Sequence, residues 1–261
     1  MNVATPHGSV APGTLDLTAD KPVPFGRLVK VELRKMLDTR AGLWLLISIV
    51  LLTGLVLVIF LINADDKSFV NAMQATATPQ GILLPVLGIL LVTSEWSQRT
   101  AMVTFTLEPH RGKVLWSKVT AAVLLGLAAV VLALVVASAV TAVGGTSDAW
   151  HDASLQLVLQ YVVLQLLSVL GGLVFGLLFL NTAAAIVTSY ALPIAFSIIT
   201  SLVSSFHKVQ PWVDPGTAQT PLQSGEILSG KEWSHVIVTS LIWVVLPFAI
   251  GMWRVLRAEV K

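Results

Sequence analysis

The sequence predicts an all-α polytopic membrane protein, in which six transmembrane helices follow a basic amphipathic helix. Of its 261 residues, 55% are hydrophobic and only 11% are charged, whereas soluble domains carry about 25% charged residues. Long charge-free stretches recur along the chain, and the basic residues gather between alternate stretches. A soluble enzyme, a disordered chain and a nucleic-acid-binding protein are excluded, because this composition lacks the polar residues that cover a soluble fold.

The N-terminal region divides into a tail and a helix. Residues 1–24 are rich in Thr, Pro, Gly and Ala and lack the apolar core of a signal peptide, so they are predicted to form a disordered cytoplasmic tail. Residues 25–41 are predicted to form an amphipathic elbow helix that lies in the inner membrane interface. On a helical wheel its apolar face holds Phe25, Leu28, Val29, Leu33, Met36 and Leu37. Its cations, which should meet anionic headgroups, are Arg27, Lys30, Arg34 and Lys35.

Charge-free gaps locate the six spans. A helix needs about 20 apolar residues to cross a hydrocarbon core roughly 30 Å thick. Four gaps hold one helix each, and the 55-residue gap between Asp152 and Lys208 holds two, joined by a turn near Asn181–Thr182. The predicted transmembrane domain covers residues 42–261. Its spans are at about 43–62, 79–95, 119–143, 155–179, 183–206 and 235–253.

The basic residues orient these spans. With six spans both termini lie on one side, and 13 of the 16 Lys and Arg residues fall on that side. The other side has Lys67, Lys208 and Lys231. Because Lys and Arg are retained in the cytoplasm, both termini are predicted to be cytoplasmic. The pI of about 9.0 then reflects this asymmetry and not a nucleic-acid partner.

The loop between the second and third spans, residues 95–118, is longer than a bare connection requires. Glu95 stands where the second span leaves the hydrocarbon, a position at which a charge is tolerated if it faces protein or the interface. Pro109 breaks the helix, and Arg111, Lys113 and Lys118 mark the return to the membrane. This order predicts a short surface helix that can dock on another protein.

In this loop the chain resembles the membrane subunits of ABC transporters of the type-2 (type V exporter) class, closest to the small bacterial permeases of bacitracin resistance and antibiotic efflux. The shared pattern is a Glu leaving span two, a Thr, then Leu-x-Pro-x-Arg, and a Lys opening span three. One departure is Arg99, where many members have Gly. The positions that the resemblance implies in ATPase coupling are Glu95, Arg99, Thr100, Leu107, Pro109, Arg111 and Lys118.

The resemblance implies an exporter of an amphipathic or antimicrobial compound in a bacterial inner membrane, built from two permease copies and two separate ATPase subunits that bind ATP and Mg²⁺. The chain itself is predicted not to be an enzyme and to hold no cofactor. A P-loop needs Ser or Thr after Gly-Lys, but Val114 follows Gly112-Lys113 and Glu232 follows Gly230-Lys231.

The same resemblance implies a transport path between two copies, lined largely by the second and fifth spans, and short helices in the external loop 207–234. Within the fourth span, Gly172 and Gly176 form a G-x-x-x-G pair that predicts close packing inside the subunit. The residues expected along the path are Met73, Gln74, Tyr190, Phe196 and Thr200.

Two other functions compete with transport. The chain could be a non-transporting immunity or scaffold protein that sequesters a peptide or partner in the bilayer. A membrane enzyme acting on lipid would need a nucleophile and a base at the same depth, and no span contains such a pair. No His, Asp or Glu spacing indicates a metal site, so no catalytic or metal-binding residue is predicted.

Overall fold

The computed structural model describes residues 23–146 and 148–257, and all regular structure in these ranges is helical. Six helices are long and apolar enough to cross a membrane, which confirms the predicted class and the number of spans. Most of the predicted tail, residues 1–22, lies outside the described residues, as do Ser147 and residues 258–261.

The chain begins with α1 (Phe25–Asp38), which leads directly into the first long helix, α2 (Arg40–Asn63). The next long helix, α3 (Phe69–Ser97), is followed by the short α4 (Ala101–Leu107) and by α5 (Arg111–Gly144). The second half contains α6 (Leu155–Phe179), α7 (Thr182–Leu202), the short α8 (Gln210–Val213) and α9 (Pro215–Gln219), and a last helix made of α10 (Gly230–Ser240), a π-helical segment (Leu241–Val245) and α11 (Leu246–Arg257).

The helices α3 and α6 form the centre of the bundle. About half of each is buried inside the protein, against 6% of α7. Their backbones approach closely at glycines, because Gly88 of α3 faces the Val169 carbonyl and Gly172 of α6 faces the Pro85 carbonyl. The Gly172–Gly176 pair therefore packs within the subunit, as predicted. Such small residues are what allow membrane helices to pack tightly.

The helix α3 begins ten residues before the predicted start of the second span. Its first part is more polar than the rest, and it is buried against α6 instead of facing lipid. There the hydroxyls of Thr76 and Tyr161 lie 2.6 Å apart, and Tyr161 also donates to Gln80 at 3.1 Å. A search for apolar residues misses this first part of α3, because helix surfaces that face protein need not be apolar.

The two ends of the bundle differ. One end, which we call the basic end, carries α1, α4 and the C-terminus of α11. At the opposite end α8 and α9 pack on the last helix, since Trp243 donates to the Val213 carbonyl at 2.7 Å and Thr239 to the Trp212 carbonyl at 3.1 Å. Asp214 caps α9 and accepts a hydrogen bond from Ser197 of α7 at 3.1 Å. The predicted external loop, residues 207–234, is thus folded, and we call this part of the chain the cover.

Candidate functional site

Four charged side chains meet inside the protein at the basic end. They are Glu32 and Lys35 of α1, Glu95 near the end of α3, and Lys118 of α5. Glu32, Glu95 and Lys118 are only 3–4% exposed. We call these four residues the charge ring, because acid and base alternate around a closed cycle of ion pairs.

Every carboxylate oxygen of the ring pairs with a lysine, and each lysine bridges the two carboxylates. Lys118 Nζ lies 2.7 Å from Glu32 Oε2 and 3.0 Å from Glu95 Oε2. Lys35 Nζ lies 2.9 Å from Glu32 Oε1 and contacts Glu95 Oε1. Lys118 also donates to the carbonyl of Leu91 at 3.0 Å. The ring is neutral and its groups are hydrogen-bonded, which is the condition under which buried charges are tolerated.

Lys35 is the ring member nearest to solvent, with a third of its side chain exposed. Burial disfavours its charged form, but the Glu32 and Glu95 carboxylates outweigh that effect and raise the pKa of the ammonium above its ordinary value. Lys35 therefore stays charged at any physiological pH, so the ring does not lose this cation.

The sequence prediction missed Glu32. On the helical wheel Glu32 falls within the apolar face of α1, and the structure buries it together with Val29 and Met36. An acid in the middle of an apolar face is costly unless a cation lies opposite, and this is the signal that could have identified it. The other cations of the helix, Arg27, Lys30 and Arg34, are exposed and do not belong to the ring.

The ring reaches α4 through Glu95. Thr104 of α4 donates to Glu95 Oε1 at 3.0 Å, and the amide of Thr100 donates to the Glu95 carbonyl at 2.8 Å. The short helix is therefore attached to the same carboxylate that binds both lysines. Its outer face exposes Met102, about half of whose surface is accessible, and Thr106.

Arg99 terminates α3 with positive φ, at 56°. Its amide donates to the Trp96 carbonyl at 3.2 Å while the Thr100 amide donates to the Glu95 carbonyl. This pair of hydrogen bonds is the Schellman motif, whose left-handed residue is usually Gly. The conformation explains why Gly suits this position and shows that Arg99 adopts the same turn at an energetic cost.

Replacing Arg99 with Gly is expected to stabilise the protein by about 1 kcal/mol, because Gly adopts positive φ without the steric cost of a Cβ. Chemical unfolding in detergent measures the difference. Gln98→Gly serves as the control, since Gln98 has negative φ and gains nothing from Gly. An Arg99→Gly variant less stable than wild type would contradict this reading of the turn.

Two other cations fasten the loop to its neighbours. Arg111 donates to the carbonyl of Val255 in the last turn of α11 at 3.0 Å, where a cation also interacts favourably with the helix dipole. Lys113 contacts the Val23 carbonyl and lies 3.1 Å from Glu108. Hydrogen bonds from Lys113 and His110 lower the pKa of the Glu108 carboxyl, so the ion pair between Lys113 and Glu108 persists at neutral pH.

Of the seven predicted coupling residues, Arg99 forms the turn after α3 and Arg111 contacts α11. The other five fall into two groups. The structure brings Glu95, Thr100 and Lys118 together at the ring. Leu107 and Pro109 are exposed at the end of α4 and in the break that follows. Lys118 is not at the start of the third span as expected but two turns inside α5, because its ion pairs allow the helix to bury the charge.

The residues predicted along a transport path do not share one surface within a subunit. Tyr190 lines a cavity of about 270 Å³ between α3, α6 and α7, and its hydroxyl donates to the Ile82 carbonyl. Met73 and Thr200 are buried, and Phe196 stacks edge-on against Trp243. The fifth residue, Gln74, packs beside Gly225 of the cover.

No protein-family model matches the chain, and no curated protein matches it. Within residues 23–146 and 148–257, no three His, Asp or Glu side chains come together as a metal site requires. Function is therefore inferred from the charges and contacts of the charge ring and its loop.

Proposed function

We propose that the chain is the membrane-spanning subunit of an ATP-driven ABC exporter and works with a separate ATPase subunit. In this proposal the basic end faces the cytoplasm, α4 is the coupling helix, and α1 is the interfacial elbow. Two copies of the chain and two ATPase subunits form the transporter, and the cargo is an amphipathic or antimicrobial compound.

The charge ring is the observation that supports this proposal most. The elbow helix and the loop were separate features of the sequence, yet Glu32 and Lys35 of α1 join Glu95 of α3 and Lys118 of α5 in one neutral cluster. A force applied to α4 would therefore reach α1, α3 and α5 together, because moving one of these helices away separates its buried charges from their partners on the others.

The outer face of α4 suits a docking role. The helix is only seven residues long and is held from behind by Thr104, while Met102 remains accessible on the other side. An apolar side chain on a short, well-anchored helix is typical of residues that insert into a pocket on a partner.

A charge on this face is expected to prevent assembly. Met102→Glu should reduce the amount of P-loop ATPase that co-purifies with the tagged chain about tenfold or more, because a carboxylate is costly inside an apolar interface. The vanadate-sensitive ATP hydrolysis of the purified sample should fall by the same factor. Ile227→Glu is the matched control, since Ile227 is similarly exposed, 57% against 49%, but lies at the opposite end.

Two results would overturn the proposal. One is the absence of any co-purifying ATPase with vanadate-sensitive activity from the wild-type protein expressed in its own host. The other is equal assembly and turnover of both variants, which would show that α4 does not bind the ATPase.

A further inference from the structure

A groove of about 600 Å³ separates α1 from α4 at the basic end. Its volume lies in the range of roughly 300–1,000 Å³ that is usual for sites of small molecules. The walls are largely apolar, and three of the side chains that form them, Val31, Val103 and Leu107, are 44–76% exposed. An apolar surface of this kind at the end of the spans needs an apolar occupant.

The charges around the groove are not balanced. The acids that line it are already paired, Glu32 and Glu95 within the charge ring and Glu108 with Lys113. Arg27 lines the groove and makes no ion pair among the described residues.

We infer that this groove binds an anionic phospholipid, with the phosphate at Arg27 and an acyl chain along Leu28, Val31, Val103 and Leu107. A guanidinium group suits phosphate because its donors match the phosphate oxygens in pairs. A lipid would cover the apolar wall and pair with the Arg27 cation at once. The inference rests on the chain spanning a membrane and not on the proposed transport, so either can fail alone.

Lipid binding can be measured by native mass spectrometry of the full chain in a neutral detergent, titrated with dioleoylphosphatidylglycerol or with dioleoylphosphatidylcholine. We expect the anionic lipid to bind more tightly. Arg27→Gln should weaken its affinity about fivefold, as expected for one cation near a lipid phosphate. Lys30→Gln, which removes an exposed cation from the same helix but outside the groove, should change it less than twofold.

A second pair of variants tests the apolar wall. Val103→Trp fills the groove and should reduce binding of the lipid about tenfold, whereas Met102→Trp, on the outer face of α4, should leave it unchanged. Both positions are about half exposed, so both variants are expected to fold.

Three results would overturn the inference. They are equal affinity for the two lipids, equal effects of the groove variants and their controls, and displacement of the bound lipid by millimolar glycerol 3-phosphate. The last result would show that Arg27 binds a free phosphate ester without help from the groove.

Discussion

Lys118→Met is expected to destabilise the protein by about 3–5 kcal/mol, the usual cost of removing one partner from a buried ion pair. The change keeps most of the side-chain volume but leaves Glu32 Oε2 and Glu95 Oε2 buried without the cation that now lies within 3.0 Å of each. Both carboxylates are almost fully buried, so water cannot replace the ammonium. Chemical unfolding of the purified chain in detergent measures the loss.

Arg34→Met is the control, because Arg34 pairs with Asp38 at the surface, where 74% and 62% of the two side chains are exposed. Exposed pairs contribute about 0–1 kcal/mol. The double change Glu32→Leu and Lys118→Met should recover much of the lost stability, since it removes one acid with one base and leaves Lys35 paired with Glu95. Equal losses in the two single variants would show that the ring does not stabilise the fold.

Gly172→Ala is expected to have the second large effect, because a Cβ at this position would overlap the backbone carbonyl of Pro85. A backbone atom cannot rotate away as a flexible side chain can, so α3 and α6 must separate. Overpacking of this kind costs typically about 1–3 kcal/mol, and here it affects the two most buried helices. The expected result is a lower unfolding midpoint and a lower yield of monodisperse protein.

Gly171 provides the control, because a Cβ there meets no atom within 4 Å. Gly171→Ala should be neutral, or stabilising by up to about 1 kcal/mol, since Ala favours a helix more than Gly does. Comparing the thermal unfolding midpoints of the two variants distinguishes the effect of close helix packing from the effect of helix propensity. If the adjacent substitutions behaved alike, the α3–α6 contact would not depend on glycine.

The transmembrane architecture was predictable because lipid imposes a simple rule on composition. Charges are excluded from the spans, so the gaps between charges mark where the spans lie. The rule fails where a helix faces protein. The first part of α3, which includes Thr76, is too polar to read as a span yet is buried against Tyr161 of α6.

The candidate site was predictable only in part. Glu95 and Lys118 were identified through the loop in which they lie, but their pairing was not, because ion pairs across distant positions leave no local pattern. Lys118 is 86 positions from Glu32 in the sequence, and only packing of α1 on α5 brings them together. Arg111 was expected in ATPase coupling, and its contact with Val255 of α11 likewise depends on tertiary structure.

The most direct test of the central claim compares Glu95→Gln with Glu108→Gln in the complex of the chain and its ATPase, reconstituted in lipid vesicles. Both variants replace one loop carboxylate with an amide, but only Glu95 belongs to the charge ring. Both variants are expected to bind the ATPase as the wild-type chain does. Glu95→Gln alone should lower vanadate-sensitive ATP hydrolysis and export about tenfold, within the usual range of coupling between sites. Wild-type hydrolysis and export by Glu95→Gln would contradict the account.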